Sequence, residues 1–179
     1  HEYVGFERND DLGGTWYENH YPGVGVDTPN HFYSYSFEVN NDWSRYFAGG
    51  DEIFAYLKRS AEKHLIVDKI RFGTTVTRAE FHEAEGRWEL FARDAAGIED
   101  QLTFDAVIVA AGALNNPSVP NIPGLETFRG QTLHTSRWKR GANLAGLSVA
   151  LIGTGASGMQ VAPTIASDVK RLTIFQRSP

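Results

Sequence analysis

Gly153-Thr154-Gly155-Ala156-Ser157-Gly158 follows directly on the apolar run Leu147–Ile152 and opens a helix-forming stretch, Ala156–Ser167. A further apolar run, Leu172–Phe175, comes next. A G-x-G-x-x-G set between strand and helix predicts a βαβ unit that binds a dinucleotide. Gly153 permits the tight turn, Gly155 lets backbone approach a pyrophosphate, and Gly158 lets helix and strand pack closely. Thr154, Ala156 and Ser157 complete a cradle in which phosphate meets the unpaired N–H groups of the helix start. A glycine-rich turn that binds nothing is the bland alternative, and the flanking runs argue against it. Pro163 is expected to end or kink the helix.

The residues after the second run select the cofactor. An NAD site places an acid about 20 residues beyond the glycines, on the ribose 2′-hydroxyl. Here the region reads Phe175-Gln176-Arg177-Ser178, with no carboxylate and with Arg177 19 residues after Gly158. A guanidinium grips a 2′-phosphate through paired, charge-assisted hydrogen bonds, so the reading is NADPH over NADH. Arg177 also reads as a solvated strand-end arginine. Glu7 gives the complementary signal, an acid ending the apolar run Tyr3–Phe6, where a first unit would hold an adenosine ribose. The glycine motif belonging to Glu7 would lie about 20 residues upstream, before His1. The chain is therefore expected to be a fragment that starts after its first βα unit and stops within its second.

Composition narrows the class. The 179 residues are 41% hydrophobic and 22% charged, ordinary values for a globular chain. Seventeen basic against 22 acidic side chains give a net charge of −5, and no basic block occurs. That argues against nucleic acid and membrane surfaces as partners. No apolar run approaches the length of a membrane span. There is no cysteine, which excludes disulfides, thiolate metal sites and a cysteine nucleophile. The start of the sequence lacks the pattern of a signal peptide, and the expected location is cytoplasmic. G-x-S-x-G and H-E-x-x-H are absent, so serine hydrolase and zinc protease readings lack support.

Elsewhere, residues 12–37 read as a long, ring-filled binding loop rather than a linker. Asp51–Val67 reads as a helix with Ile53, Phe54, Leu57, Ala61 and Leu65 on one face and Asp51 as its cap. Thr74–Phe81, Trp88–Ala92 and Leu102–Phe104 suggest an antiparallel meander, turning at Glu85-Gly86 and Ala96-Gly97. Ala106–Ala111, apolar throughout, predicts a parallel strand covered on both faces. The fold class is α/β: two Rossmann-like dinucleotide-binding units, both incomplete in this chain, with a meander insert. Residues 1–125 are read as a first, partial dinucleotide-binding domain, 126–146 as an inter-domain linker and 147–179 as the start of an NADP-binding domain.

Two segments resemble one family. Gly13-Gly14-Thr15-Trp16-Tyr17, then Asn19, Tyr21-Pro22-Gly23, Asp27 and Tyr33-Ser34-Tyr35-Ser36-Phe37, is similar to the flavin-side loop of Baeyer–Villiger monooxygenases. Phe128 to Trp138 resembles that family's fingerprint, F-x-G-x-x-x-H-x-x-x-W, through Phe128, Gly130, His134 and Trp138. Lys139 departs from the Pro or Asp usual at the next position. Gly25-Val26-Asp27-Thr28-Pro29-Asn30 is more similar to the 4-hydroxyacetophenone monooxygenase branch than to the cyclohexanone or phenylacetone branches.

The resemblance implies a class B flavoprotein monooxygenase with FAD on the first unit and NADPH on the second. Through a flavin peroxide it would insert one oxygen atom of O2 beside a ketone carbonyl, giving an ester or lactone. It also implies roles by residue. Glu7 would hold the FAD ribose, with Gly14, Thr15 and Trp16 lining flavin and pyrophosphate. Asp27 would sit near flavin and nicotinamide, Tyr33 beside the isoalloxazine, and Val76 would meet the adenine through its backbone. Gly153–Gly158 and Arg177 would hold NADPH, and His134 would lie at the domain junction, affecting coupling. Asp27 alone also reads as a turn former, His134 as a structural histidine, and the rings of the loop as packing. The peroxide-stabilising arginine of the family falls beyond Arg177, outside this sequence. The alternatives are a flavin-containing monooxygenase oxidising nitrogen or sulfur, and a truncated, inactive fragment.

Overall fold

A computed structural model describes residues 2–177. Among the described residues seven strands and three α-helices form, in an α/β arrangement. The packing falls into two units, one made of the residues up to Gly14 with Leu57–Gly112, the other of Thr15–Tyr56 with the residues from Ala113 on.

In the first unit β1 (Gly5–Phe6) pairs in parallel with β2 (Ile70–Arg71). Glu7 continues the pairing, donating its N–H to Arg71 O at 3.1 Å and accepting from Thr74 N at 2.9 Å. The meander forms as predicted from β3 (Thr75–His82), β4 (Arg87–Arg93) and β5 (Glu99–Phe104), all antiparallel. Its turns use Gly86 (φ 62°) and Gly97 (φ 85°), a left-handed conformation that glycine adopts without strain. Leu90 and Ala92 fill its buried face. The last turns of the helix that ends at Lys63 also belong here, and they close with Ile66 N–H on Ala61 O and Leu65 N–H on Glu62 O. That is a Schellman closure with leucine (φ 54°) where glycine is usual. Leu65 therefore leaves the predicted apolar face and is 73% exposed.

Ala106–Ala111 does not form the predicted strand. Among the described residues no strand pairs with it, and Ile108 and Val109 are 93% and 83% exposed. An all-apolar run holds a strand only when neighbours cover both its edges and faces.

The second unit contains α1 (Thr15–Glu18), the start of α2 (Gly50–Lys63), and β6 (Ser148–Ile152), α3 (Ala156–Ile165) and β7 (Arg171–Phe175). Asp51 lies inside the first turn of α2 rather than capping it. Gly49 O accepts the first amides, and the charges of Asp51 and Glu52 favour the positive end of the helix. β6 and β7 run parallel with α3 between them, pairing Ser148 with Arg171 through Ile152 with Phe175. The helix passes through Pro163 and stops two residues later, because Val161 and Ile165 anchor it in the core. Tyr21 completes that core, against which Val24, Trp138, Leu144 and Leu151 pack.

No helix among the described residues is long and apolar enough to cross a membrane.

Candidate functional site

The β6–α3 junction has the geometry its glycines predict. Gly153 sits at φ 103°, a region closed to other residues in practice, and donates its N–H to Phe175 O at 2.9 Å. Gly155 precedes the helix with no side-chain cap, so no N-cap side chain takes up the first N–H groups of α3, which have no partner within the helix. A Cβ built on Gly155 meets nothing within 4 Å, whereas one on Gly158 lies 2.6 Å from Gly153 O. One glycine keeps an open approach and the other allows close packing. Uncapped amides at a positive helix end beside open space fit a pyrophosphate. Thr154 and Ala156 are exposed and Ser157 is half-buried. Arg177 is exposed, two residues beyond β7.

The loop bearing Asp27 is held against α3. Tyr21 donates its hydroxyl to Gln160 Oε1 at 2.8 Å, and Gln160 Nε2 donates to Gly25 O at 2.9 Å. Gly23, at φ 82°, leaves no room for a side chain: its Cβ would lie 2.3 Å from Thr164 Oγ1 and 2.5 Å from Gln160 O. Buried Val26 bonds Ala48 O at 3.0 Å, and buried Asn30 ties the loop together through Arg45 O and Ala48 N. Asp27 itself is exposed, with Thr28 Oγ1 at 3.5 Å from its carboxylate. Sequence reasoning missed Gln160, which is half-buried, and Asn30, which is buried; nothing in their local sequence marked either.

Trp16 and Tyr33 come together, rings 5.7 Å apart at 81°, with Trp16 Nε1 donating to Tyr33 Oη at 3.2 Å. Thr15 is exposed at the start of α1. His134 precedes a 3-10 turn, and its Nδ1 accepts the N–H of Ser136 at 3.2 Å with Ser136 Oγ at 2.9 Å. Its bonding is thus local. Trp138 packs on the Tyr21 core, and Gly130 makes room for the Phe128 ring, which a Cβ would overlap at 2.4 Å. Arg137 reaches Glu18 at 3.7 Å and the carbonyls of Ser136 and Asn115.

In the first unit, Glu7 directly follows β1, and one carboxylate oxygen accepts Asn9 N–H at 2.9 Å. Gly14 is at φ 48° with open space where a Cβ would stand. Val76, on β3, is 39% exposed beside a bulge. Glu80, His82 and Glu89 gather on β3 and β4, but Arg78 pairs with Glu80, and His82 and Gln101 engage Glu89. Those bonds hold the Glu89 carboxyl below its usual range, the Gln101 contact most of all.

His20 lies in the second unit with Arg140 Nη2 at 2.8 Å from its Nε2. Burial first, then the Arg140 charge, lower its pKa from the ordinary 6.5, against a smaller opposing pull from Asp51. The folded state therefore binds fewer protons than the unfolded chain near that pH. The contribution to stability is complete above 6.5 and is lost as pH falls below it. An NMR titration of the imidazole is expected to give a midpoint below 6.5, and Arg140→Leu to move it only part of the way back, because burial remains.

The model of the flavin-binding monooxygenase-like family matches residues 1–178. A Baeyer–Villiger monooxygenase of Streptomyces coelicolor is 43% identical over 178 residues, covering 99% of this chain and 33% of that protein. A mutant cyclohexanone monooxygenase from Rhodococcus sp. Phi1, bound to NADP+, superposes with a TM-score of 0.90 at 39% identity, over 98% of this chain and 34% of that one. A complex of OTEMO with FAD and NADP gives 0.88 at 35% identity, again over 98% and 34%. The chain thus spans about a third of the length of the relatives it matches. With its glycine cradle and fingerprint in place, and a family match from end to end, the chain belongs to the flavin-binding monooxygenase-like family.

Proposed function

We propose that the protein carrying this chain is an FAD- and NADPH-dependent monooxygenase of Baeyer–Villiger type, taking a small-molecule ketone and O2 to an ester or lactone. The observation that carries this reading is the uncapped, open glycine cradle of α3, bonded through Gln160 to the loop that presents Asp27. Its relatives support the assignment, since structures among them hold FAD and NADP. The fold reading is of two Rossmann-like units, each carried in part by this chain, divided by cofactor at 1–125, 126–146 and 147–179. Packing groups the chain differently, joining Thr15–Tyr56 to the residues from Ala113 on.

When bound, NADPH supplies hydride and FAD the oxygen-activating redox chemistry. The residues present position both. Gly153–Gly158 offer amides to the nicotinamide dinucleotide's phosphates, and Arg177 meets its 2′-phosphate. Glu7 binds the FAD ribose, Val76 borders the adenine, and Gly14, Thr15, Trp16 and Tyr33 line the flavin and its pyrophosphate. The Trp16–Tyr33 hydrogen bond holds the two rings as one wall, which helps exclude water from the reacting region. Asp27 faces the nicotinamide and flavin, and His134 orders the linker through Ser136. The expected location is cytoplasmic.

The test offers the complete protein an aryl ketone and a thioether with NADPH and O2. Ester from the ketone is expected. Brisk sulfoxide formation with no ester would assign it instead to the nitrogen- and sulfur-oxidising relatives.

A further inference from the structure

Gln160 stands one turn into α3, and both ends of its amide are engaged: Oε1 accepts from Tyr21, Nε2 donates to Gly25. Gly25 is two residues from Asp27, and the residues between are not slack. Gly23 abuts the Gln160 and Thr164 backbone turn, Thr164 Oγ1 bonds Gln160 O at 2.8 Å, and Val26 is buried. Gly25 also bridges Gly49, and a Cβ on it would approach Ala48 O to 2.9 Å. Asp27 is exposed at the end of this packed stretch, and Gln160 supplies side-chain hydrogen bonds from α3 to both Tyr21 and Gly25, on either side of the close contact of Gly23 with the helix.

We propose that Gln160 is a positioning residue for hydride transfer. It fixes Asp27 against the helix whose start holds the dinucleotide; this rests on the monooxygenase reading above. Glutamine suits the task because one group must donate a hydrogen bond to a carbonyl and accept one from a phenol. Glutamate retains only the acceptor and would face the Gly25 carbonyl with negative charge. Asparagine is one methylene short, and methionine has neither function at similar volume.

The experiment uses the complete protein with Gln160→Met, Gln160→Glu and the milder Tyr21→Phe, which removes one bond and keeps the ring. Backbone amide exchange is followed without added NADPH. Gln160→Met is expected to speed exchange of residues 23–27 about tenfold, the effect of losing hydrogen bonds worth about 1.4 kcal/mol together, while β6 and β7 are unchanged. Anaerobic bleaching of bound flavin by NADPH is expected to slow about tenfold, with the Kd for NADPH moving by less than about threefold. Tyr21→Phe and Gln160→Glu should fall between wild type and Gln160→Met. Unchanged exchange in residues 23–27 would overturn the proposal. So would faster exchange with an unaltered bleaching rate per bound flavin, since that describes a merely structural contact. If wild type itself showed no bleaching, the monooxygenase reading would fail, and exchange would still decide whether Gln160 fixes the loop.

Discussion

Arg177→Ala in the complete protein is expected to raise KM for NADPH about 10- to 150-fold, the worth of a charge-assisted hydrogen bond of about 1.5–3 kcal/mol, and to leave KM for NADH nearly unchanged. The reasoning is one of charge and place. Arg177 is exposed just past β7, on the side of the sheet toward which the strand runs after the glycine helix. Gln176, Arg177 and Ser178 directly after Phe175 include no carboxylate to claim a ribose 2′-hydroxyl. Arg137, another cation near in sequence to the cradle, is held by Glu18 and by the carbonyls of Ser136 and Asn115, so it is committed to tying the linker to α1. Arg137→Ala should accordingly lower Tm and leave the preference between cofactors intact. Lys139 is exposed, and a residual preference for NADPH in Arg177→Ala that disappears in the double variant with Lys139→Ala would show it sharing the phosphate. Steady-state kinetics with both cofactors checks the prediction. Equal rises in the two KM values would show that Arg177 does not read the 2′-phosphate.

What was legible in the sequence was whatever local chemistry determines. The β6–α3–β7 unit was readable because an apolar run, three spaced glycines and a second run admit few other structures. The meander was readable because alternation and two turn glycines set its register, and Gly86 and Gly97 take the left-handed conformation that turns of this kind need. Ala106–Ala111 misled because its pattern reports what a strand would require of its surroundings, and no such surroundings form among the described residues. Leu65 misled because helical periodicity says nothing of where a helix stops. In the candidate site, the glycines and the Trp16–Tyr33 pair lay in segments whose spacing carried them. Gln160 and Asn30 did not, since each acts across distance: Gln160 is 139 residues from Tyr21 and 135 from Gly25. An amide that bonds across the fold announces itself only when the fold shows what surrounds it. Trp138 is intermediate, because its place in the fingerprint was readable but its packing on the Tyr21 core was not.

The second large effect separates two glycines of one motif. Gly155→Ala is expected to leave Tm unchanged and to raise the Kd for NADPH about 10- to 150-fold, through lost backbone contacts to charged phosphate. Gly155 has φ −69° and ψ −179°, an extended conformation that alanine adopts without strain, and its Cβ would enter open space. The folded chain has no objection to the methyl group; only a ligand brought against that backbone does. Gly158→Ala reverses the pattern. Its Cβ would lie 2.6 Å from Gly153 O and 3.3 Å from Gly153 C, both backbone atoms that cannot swing aside. Helix propensity would favour alanine by about 1 kcal/mol, but overpacking of this kind costs about 1–3 kcal/mol and must be relieved by lifting α3 from the β6 turn. A net loss of up to about 2 kcal/mol is expected, together with weakened NADPH binding, because the amides of the helix start move with the helix. Calorimetric unfolding and a fluorescence titration with NADPH, applied to both variants, read the two quantities separately. A Gly155→Ala protein that bound NADPH as tightly as wild type would mean that no phosphate approaches this turn, and the dinucleotide assignment for α3 would then have to be abandoned.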